Sequence, residues 1–452
     1  MIQYLSVIDL VVPPLLLMVI FFATNSRRVK NIETNPSYRY YVPGLVVKLI
    51  GGTLVCLIYV VYYSGGDTLN YYNDNTCVTN LFLKDPQAIL DFMIGPSPET
   101  WWRFDSDTGF PIYFSDKHAI IVVKLTWIFC LLTFKSFIAQ TMLLAWVSYW
   151  SIWRMYQTFI HEFPHLTRQF AFAILFVPSV FFWGSGLLKD TITFSAVCLF
   201  TSSYSLILTR GKEVTKNLFL ILVASMLLIY IKPYIFFALL PGSILWFAGV
   251  GISKVNNQLV KSMTTPIIIM LSLLSGYFML RQMSVFLGEY ALENVLEKAV
   301  VTNLDLKNER YQGSSFDIGD FDPTIGGILS KVPAAINATL FRPYLWEANN
   351  FAMIFSGIEN LILLSMTIYI LLLLRVYNLF RLMFRHRILF FTIFFSLFFS
   401  FAVGLTTSNF GSLVRYKIPA IPFFVISLFI INNTYKDMKV ERRKKTLQEE
   451  GI

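Results

Sequence analysis

Residues 44–72 read GLVVKLIGGTLVCLIYVVYYSGGDTLNYY. The run 44–63 is apolar and long enough to cross the hydrocarbon core of a bilayer, about 30 Å thick, as one helix. Directly after it the chain turns polar. An aspartate where a membrane helix emerges is costly unless solvated or paired, so Asp67 is a functional candidate by its position. Gly65 and Gly66 before it allow a tight turn that brings the carboxylate close to a ligand. The plainer reading of the same residues is a turn by which the chain leaves a helix.

Outward from this stretch, comparable apolar runs recur at 5–23, 136–153, 170–186, 191–209, 217–231, 234–250, 265–282, 351–374, 389–406 and 418–431. Together with 56% hydrophobic residues and a mean hydropathy of +0.60, they predict an all-α polytopic membrane protein. It has about eleven crossings in one integral membrane domain over 1–452. The run 5–23 has no basic region before it and no small-residue cleavage site after it, and reads as a retained helix.

The net charge of +10 is no nucleic-acid signal in such a chain. It is read loop by loop, because lysine and arginine mark cytoplasmic sides. Arg27, Arg28, Lys30 and Arg39, the clusters at 210–216 and 375–387, and the basic tail 434–452 are then cytoplasmic. The long polar regions 64–118 and 283–350 are extracytoplasmic. The apolar stretch 119–134 is short and interrupted by Lys124. A full crossing there would turn every later basic loop outward, so a re-entrant or interfacial segment is expected.

The cysteines, Cys56, Cys77, Cys130 and Cys198, show neither metal spacing nor a paired pattern. His161-Glu162-Phe163-Pro164-His165 matches the zinc-protease pattern H-E-x-x-H literally. That pattern needs both histidines on one helical face, and Pro164 between them is incompatible with a helix interior. It reads as a chance match, and no zinc site is expected there.

With this topology, Asp67, Lys189, Asp190, Lys232, Arg342, Glu347, Arg415 and Lys417 all fall at or just beyond outer helix ends. Cations near an aspartate suit a phosphate and a nucleophilic hydroxyl in one cleft, arginine gripping phosphate bidentately and lysine as a point charge. The aromatic residues offer faces to sugar rings. The cluster WWRFDSD at 101–107, with Asp105 and Asp107, suits a sugar or a membrane interface. Plainer roles exist for each. Arg415 and Lys417 would snorkel to headgroups, Lys189-Asp190 would be an ion pair or a helix start, and Glu347 a loop cap.

Gly66-Asp67, PSVFFWGSGLLKD at 178–190, FRPYLWE at 341–347 and RYKIPAIP at 415–422 together resemble segments of the GT-C-type bacterial polytopic glycosyltransferases and related polysaccharide polymerases. The resemblance spans most of the chain. It implies a GT-C-like bundle in the bacterial inner membrane among membrane lipids, with its site facing the periplasm. The implied donor is a polyprenyl-phosphate- or diphosphate-linked sugar, and the acceptor a glycan, lipid or protein. Asp67 takes the place of the acid that acts as base or positions the acceptor. The implied donor-phosphate cations are Lys189, Lys232, Arg342, Arg415 and Lys417. The implied substrate contacts are Tyr71, Asp105, Asp107, Asp190, Trp346, Glu347 and Tyr416. The acidic pair of the best-studied members is absent, since Thr68 follows Asp67. A divalent cation is thereby left open as cofactor, and Asp74, Asp105 and Asp107 stand in reserve as base. A polymerase or ligase of lipid-linked oligosaccharides shares this chemistry. A lipid-linked-glycan transporter and a non-catalytic envelope-assembly subunit are rivals of other classes; inverted repeats would mark the transporter, and the sequence shows none.

Overall fold

The structure, a computed structural model, describes residues 6–95, 97–211, 213–252, 270, 315–319, 324–383 and 386–449. Among these residues the secondary structure is helical, with one isolated antiparallel bridge between Ser315 and Asn409. Six helices are long and apolar enough to cross a membrane: Ile8–Ile32, Pro36–Tyr63, Lys189–Arg210, Val214–Ile231, Met353–Leu374 and Ile388–Thr406. The number is eight if two bent helix pairs each count as one span. These helices mark a multi-pass membrane protein.

Eleven crossings are not reached among the described residues, for three reasons. The expected crossing 265–282 lies, Met270 apart, outside them. The expected crossing 170–186 is broken at Pro178, which lacks the amide needed to continue a helix. The expected crossing 234–250 is helical over Pro233–Ile252, but only its stretch Pro233–Ala248 stands among the apolar helices, below the length counted as a span.

The chain forms two compact units, Met1–Lys232 and Pro233–Ile452. The first holds α1 (Ile8–Ile32), α2 (Tyr41–Ile58), α3 (Asp67–Lys84), α4 (Ala88–Ile94), α5 (Ala119–Leu132), α6 (Phe137–Glu162), α7 (Thr167–Ala171), α8 (Pro178–Trp183), α9 (Lys189–Arg210) and α10 (Val214–Ile231). α2 packs on α6 and α8, α6 on α9, and α9 on α10. After a π turn at Tyr59–Tyr63 the backbone reverses through Ser64 (φ 51°) and Gly66 (φ 106°). The second of these conformations is open to glycine and strained for other residues, so α3 starts at Asp67 and no earlier.

The expected outer region 64–118 is largely folded. Thr68, Tyr71, Asn75, Val78 and Leu81 repeat at helical spacing and are buried. They place α3 against α5, and Tyr71, Val78, Phe92, Phe104, Phe114 and Trp127 share one apolar core. Lys124, which interrupts the apolar run of α5, donates to the carbonyls of Met93 (3.4 Å) and Gly95 (3.3 Å) at the C-terminal end of α4.

α5 and α6 meet at 117°, as a broken span or a re-entrant arm. Phe134 and Lys135 adopt left-handed φ values of 52° and 62° at the corner. Ser136 caps α6 by accepting from the Ala139 amide (3.1 Å). The buried Asp9 of α1 accepts from the Ser136 hydroxyl (2.6 Å) and the Ile138 amide (3.1 Å), tying α1 to the corner. α6 ends at Glu162 and Pro164 opens a separate 3-10 turn, so His161 and His165 do not share a helix.

The second unit holds α11 (Pro233–Ile252), α12 (Ile325–Ser330), α13 (Val332–Phe341), α14 (Phe351–Met383), α15 (Arg387–Thr406), α16 (Phe410–Tyr416) and α17 (Ala420–Glu449). α15 is central and packs on α11, α13 and α17. Phe391, Phe395 and Phe399, four residues apart, form a buried ladder with ring centroids 6.3 and 5.6 Å apart. Of the expected outer region 283–350, residues 283–314 and 320–323 lie outside the described residues.

Candidate functional site

In the first unit, chemistry gathers around the start of α3. Asp67 stands in its first turn, where the amide dipoles favour a negative charge. The Tyr113 hydroxyl donates to Asp67 Oδ1 at 2.9 Å and accepts from Asn70 Nδ2 at 3.2 Å. The Tyr71 ring lies against Tyr113, centroids 4.8 Å apart. Burial pushes the Tyr71 phenol well above its ordinary range, and the charge of Asp67, then Tyr113, Asp116 and Asp190, pushes it further. Tyr113 is raised by burial and by Asp67. Tyr113 is thereby kept as a donor to Asp67.

The segment carrying Tyr113 is fixed from beneath. Asp74, fully buried on α3, accepts from the amides of Ile112 (2.6 Å) and Tyr113 (2.9 Å). Burial pushes its carboxyl up to about 6, while the two amides pull the other way. Three residues beyond Tyr113, Asp116 accepts from the amides of His118 (2.8 Å) and Ala119 (2.9 Å) and pairs with Lys189 at 3.2 Å. Burial would raise this carboxyl, but the two amides and the Lys189 ammonium outweigh it and hold it below its ordinary value.

Lys189 and Asp190 open α9. Asp190 pairs with Lys232 at 2.5 Å, and their side chains are 3% and 10% exposed. The Lys189–Asp116 pair is 23% and 42% exposed. Two of the three lysines expected on a donor phosphate thus differ: Lys189 is reachable from solvent, and Lys232 is buried as the counter-ion of Asp190. His118 joins the end of α10 to this cluster, its Nδ1 2.7 Å from the Tyr230 carbonyl. The result is one set, joined through three side-chain groups and through the backbone at 113–116 and 189–190: Asp67, Tyr71, Tyr113, Asp116, Lys189, Asp190 and Lys232.

Asp105 and Asp107 are not part of it. Both pair with Lys84, at 2.6 and 2.8 Å, at the last residue of α3. At 1.5 Å rise per residue that end is about 25 Å from Asp67. Lys84 and the Thr108 amide hold Asp105 at about 2. Arg103 pairs with Asp91 close by.

The remaining expected residues belong to the second unit. Arg342 pairs with Glu347, its Nε 2.9 and 3.1 Å from the two carboxylate oxygens, and lies over the rings of Phe316 (4.9 Å) and Phe410 (5.4 Å). Glu347 also accepts from the Tyr344 amide (2.9 Å). Trp346 is 77% exposed and stacked on Tyr344 with centroids 4.7 Å apart. Lys417 is fully buried and donates to Asn360 Oδ1 at 2.6 Å, and Asn360 donates to the Pro343 carbonyl at 3.1 Å. The FRPYLWE and RYKIPAIP segments are therefore joined through Asn360. Arg415 and Tyr416 are half-buried in the last turn of α16.

Tyr113 and Asp116 escape a reading of the sequence, because nothing local distinguishes them and only the packing of 104–118 brings them to Asp67. Lys48 and Asp9 carry a legible signal, a charge inside an apolar run, that the sequence reading passes over. Among the described residues no group of three or more His, Cys, Asp or Glu side chains is arranged to hold a metal ion. No protein-family model, curated protein or solved structure matches the chain.

Proposed function

We propose that the chain is a membrane glycosyltransferase that moves a sugar from a polyprenyl-phosphate-linked donor to an extracytoplasmic acceptor. The observation that carries this reading is the cluster around Asp67: a carboxylate oriented by a tyrosine hydroxyl, with a solvent-reachable lysine in the same connected set. In the reaction, Asp67 takes the proton of an acceptor hydroxyl as its oxygen attacks the anomeric carbon. The bond from that carbon to the phosphate oxygen breaks, the phosphate leaves with the electron pair, and the configuration inverts. Lys189 faces the departing phosphate and stabilises its growing charge, while Asp116 holds the ammonium in place. Arg342 and Lys417, engaged with Glu347 and Asn360, take no step in it.

Asp67→Asn keeps the shape and the bond to Tyr113 but removes the base. In vesicles supplied with a polyprenyl-phosphate-linked sugar, donor consumption should fall about 100-fold or more, with membrane insertion unchanged. Full activity in this variant removes Asp67 from the mechanism.

A further inference from the structure

Lys48 lies within α2, in a membrane-spanning segment, and is 4% exposed. A charge there is costly and marks function by default. Its ammonium donates to the Gly184 carbonyl at 2.5 Å and approaches the Ser185 hydroxyl at 3.4 Å. The cleft beside it is apolar except for Tyr149, whose hydroxyl already donates to the Tyr41 carbonyl. Among the described residues no carboxylate pairs with Lys48. Its charge is spent on backbone and hydroxyl oxygens at one point of the chain.

That point is the break between α8 and α9. Carbonyls at a helix C-terminus lack intrahelical donors, and a cation there is favoured. The broken helix exposes the Gly184 carbonyl in this way, and Lys48 supplies the missing donor. From the other side the Thr191 hydroxyl donates to the Gly186 carbonyl at 2.6 Å. A Cβ on Gly52 of α2 would sit 2.9 Å from the Ser185 carbonyl oxygen, and one on Gly186 would sit 2.6 Å from Val55. The segment 184–188 is thus pinned between α2 and the first turn of α9, and the next two residues are Lys189 and Asp190.

We propose that Lys48 is a positioning residue: through Gly184 and Ser185 it sets the backbone that delivers Lys189 to Asp116 and Asp190 to Lys232. Its functional part rests on the reading of Lys189 as the cation that meets the donor phosphate.

The test compares the full-length chain with Lys48→Met and Lys48→Arg in vesicles, by amide hydrogen exchange and by donor consumption with a polyprenyl-phosphate-linked hexose. Lys48→Met should speed exchange over 184–191 about tenfold or more, the worth of a hydrogen bond from a charged group. It should lower kcat/KM for the donor about tenfold, with most of the fall in kcat, because Lys189 acts on the charge that grows as the phosphate leaves. Lys48→Arg, which keeps charge and donors, should restore most of both. If Lys48→Met does not fold, Lys48→Gln carries the same comparison, since its side chain is one atom shorter and carries no charge. Unchanged exchange over 184–191 overturns the proposal, and so does faster exchange with an unchanged kcat/KM. A native protein that consumes no donor defeats the transferase reading separately, and the exchange result alone then decides the role of Lys48.

Discussion

A single carboxylate shows how position sets chemistry here. Asp74 is only seven residues along α3 from Asp67, yet it is buried and spends both oxygens on the amides of Ile112 and Tyr113. Burial lifts its carboxyl to about 6 from an ordinary value of 3.8. The folded protein therefore binds this proton more tightly than the unfolded chain. The linkage sign follows: the contribution of Asp74 to stability is greatest below about pH 4, declines as pH rises towards 6, and is level above. Melting of the purified protein between pH 4.5 and pH 7 should show this decline, and Asp74→Asn should remove it. Asp74→Asn should also lower stability by about 1–3 kcal/mol at pH 5, because the NH2 group that replaces one oxygen is a donor and sets itself against a backbone N–H. A variant with an unaltered pH slope would mean that Asp74 does not titrate in this range. Asp67 could be singled out from its place after an apolar run, whereas the separate duty of Asp74 depends on a loop 38 residues away.

At the scale of elements, the contact between α2 and α8 depends on glycine. A Cβ on Gly51 would lie 2.3 Å from the Phe181 carbonyl oxygen, an approach that only displacement of the backbone relieves. Gly51→Ala should therefore cost about 1–3 kcal/mol, as overpacking does, read as a lower melting temperature in detergent. Gly65→Ala is the control: nothing lies within 4 Å of its Cβ position, and its effect should stay within about 0.5 kcal/mol. Equal effects at the two positions would refute the close-approach account. Helix periods in the apolar runs are legible by eye. The break at Pro178 is legible too, since a proline inside an apolar run interrupts its hydrogen bonds. How the next break, between α8 and α9, is closed is not legible, because Lys48, which donates to the Gly184 carbonyl there, is 136 residues away in the chain.

At the scale of the whole molecule, the six to eight candidate spans among the described residues and the abundance of basic residues allow the orientation to be tested. On the proposed orientation, region 64–118 is outside and the basic tail is inside. Trp102, 70% exposed, and Lys436 are suitable probes. A cysteine replacing Trp102 should react with a membrane-impermeant maleimide on intact cells, and one replacing Lys436 only after permeabilisation. Reaction of both, or the reverse pattern, would overturn the orientation and with it the extracytoplasmic site.

The composition and the spacing of apolar runs by themselves determined that this is a helical membrane protein, because burying a backbone in lipid leaves helices as the way to satisfy every amide over such runs. They also placed Asp67 and Lys189 at or just beyond the ends of apolar runs, while it was the structure that showed each of them opening a helix. Only the tertiary structure decided that region 64–118 folds around its own aromatic core, that Tyr113 and Asp116 join Asp67 and Lys189, and that Asp105 and Asp107 lie at the far end of α3. The reason is distance along the chain: hydropathy is a local property, while a hydrogen bond or an ion pair between residues 40 to 140 apart exists only once the packing has brought them together.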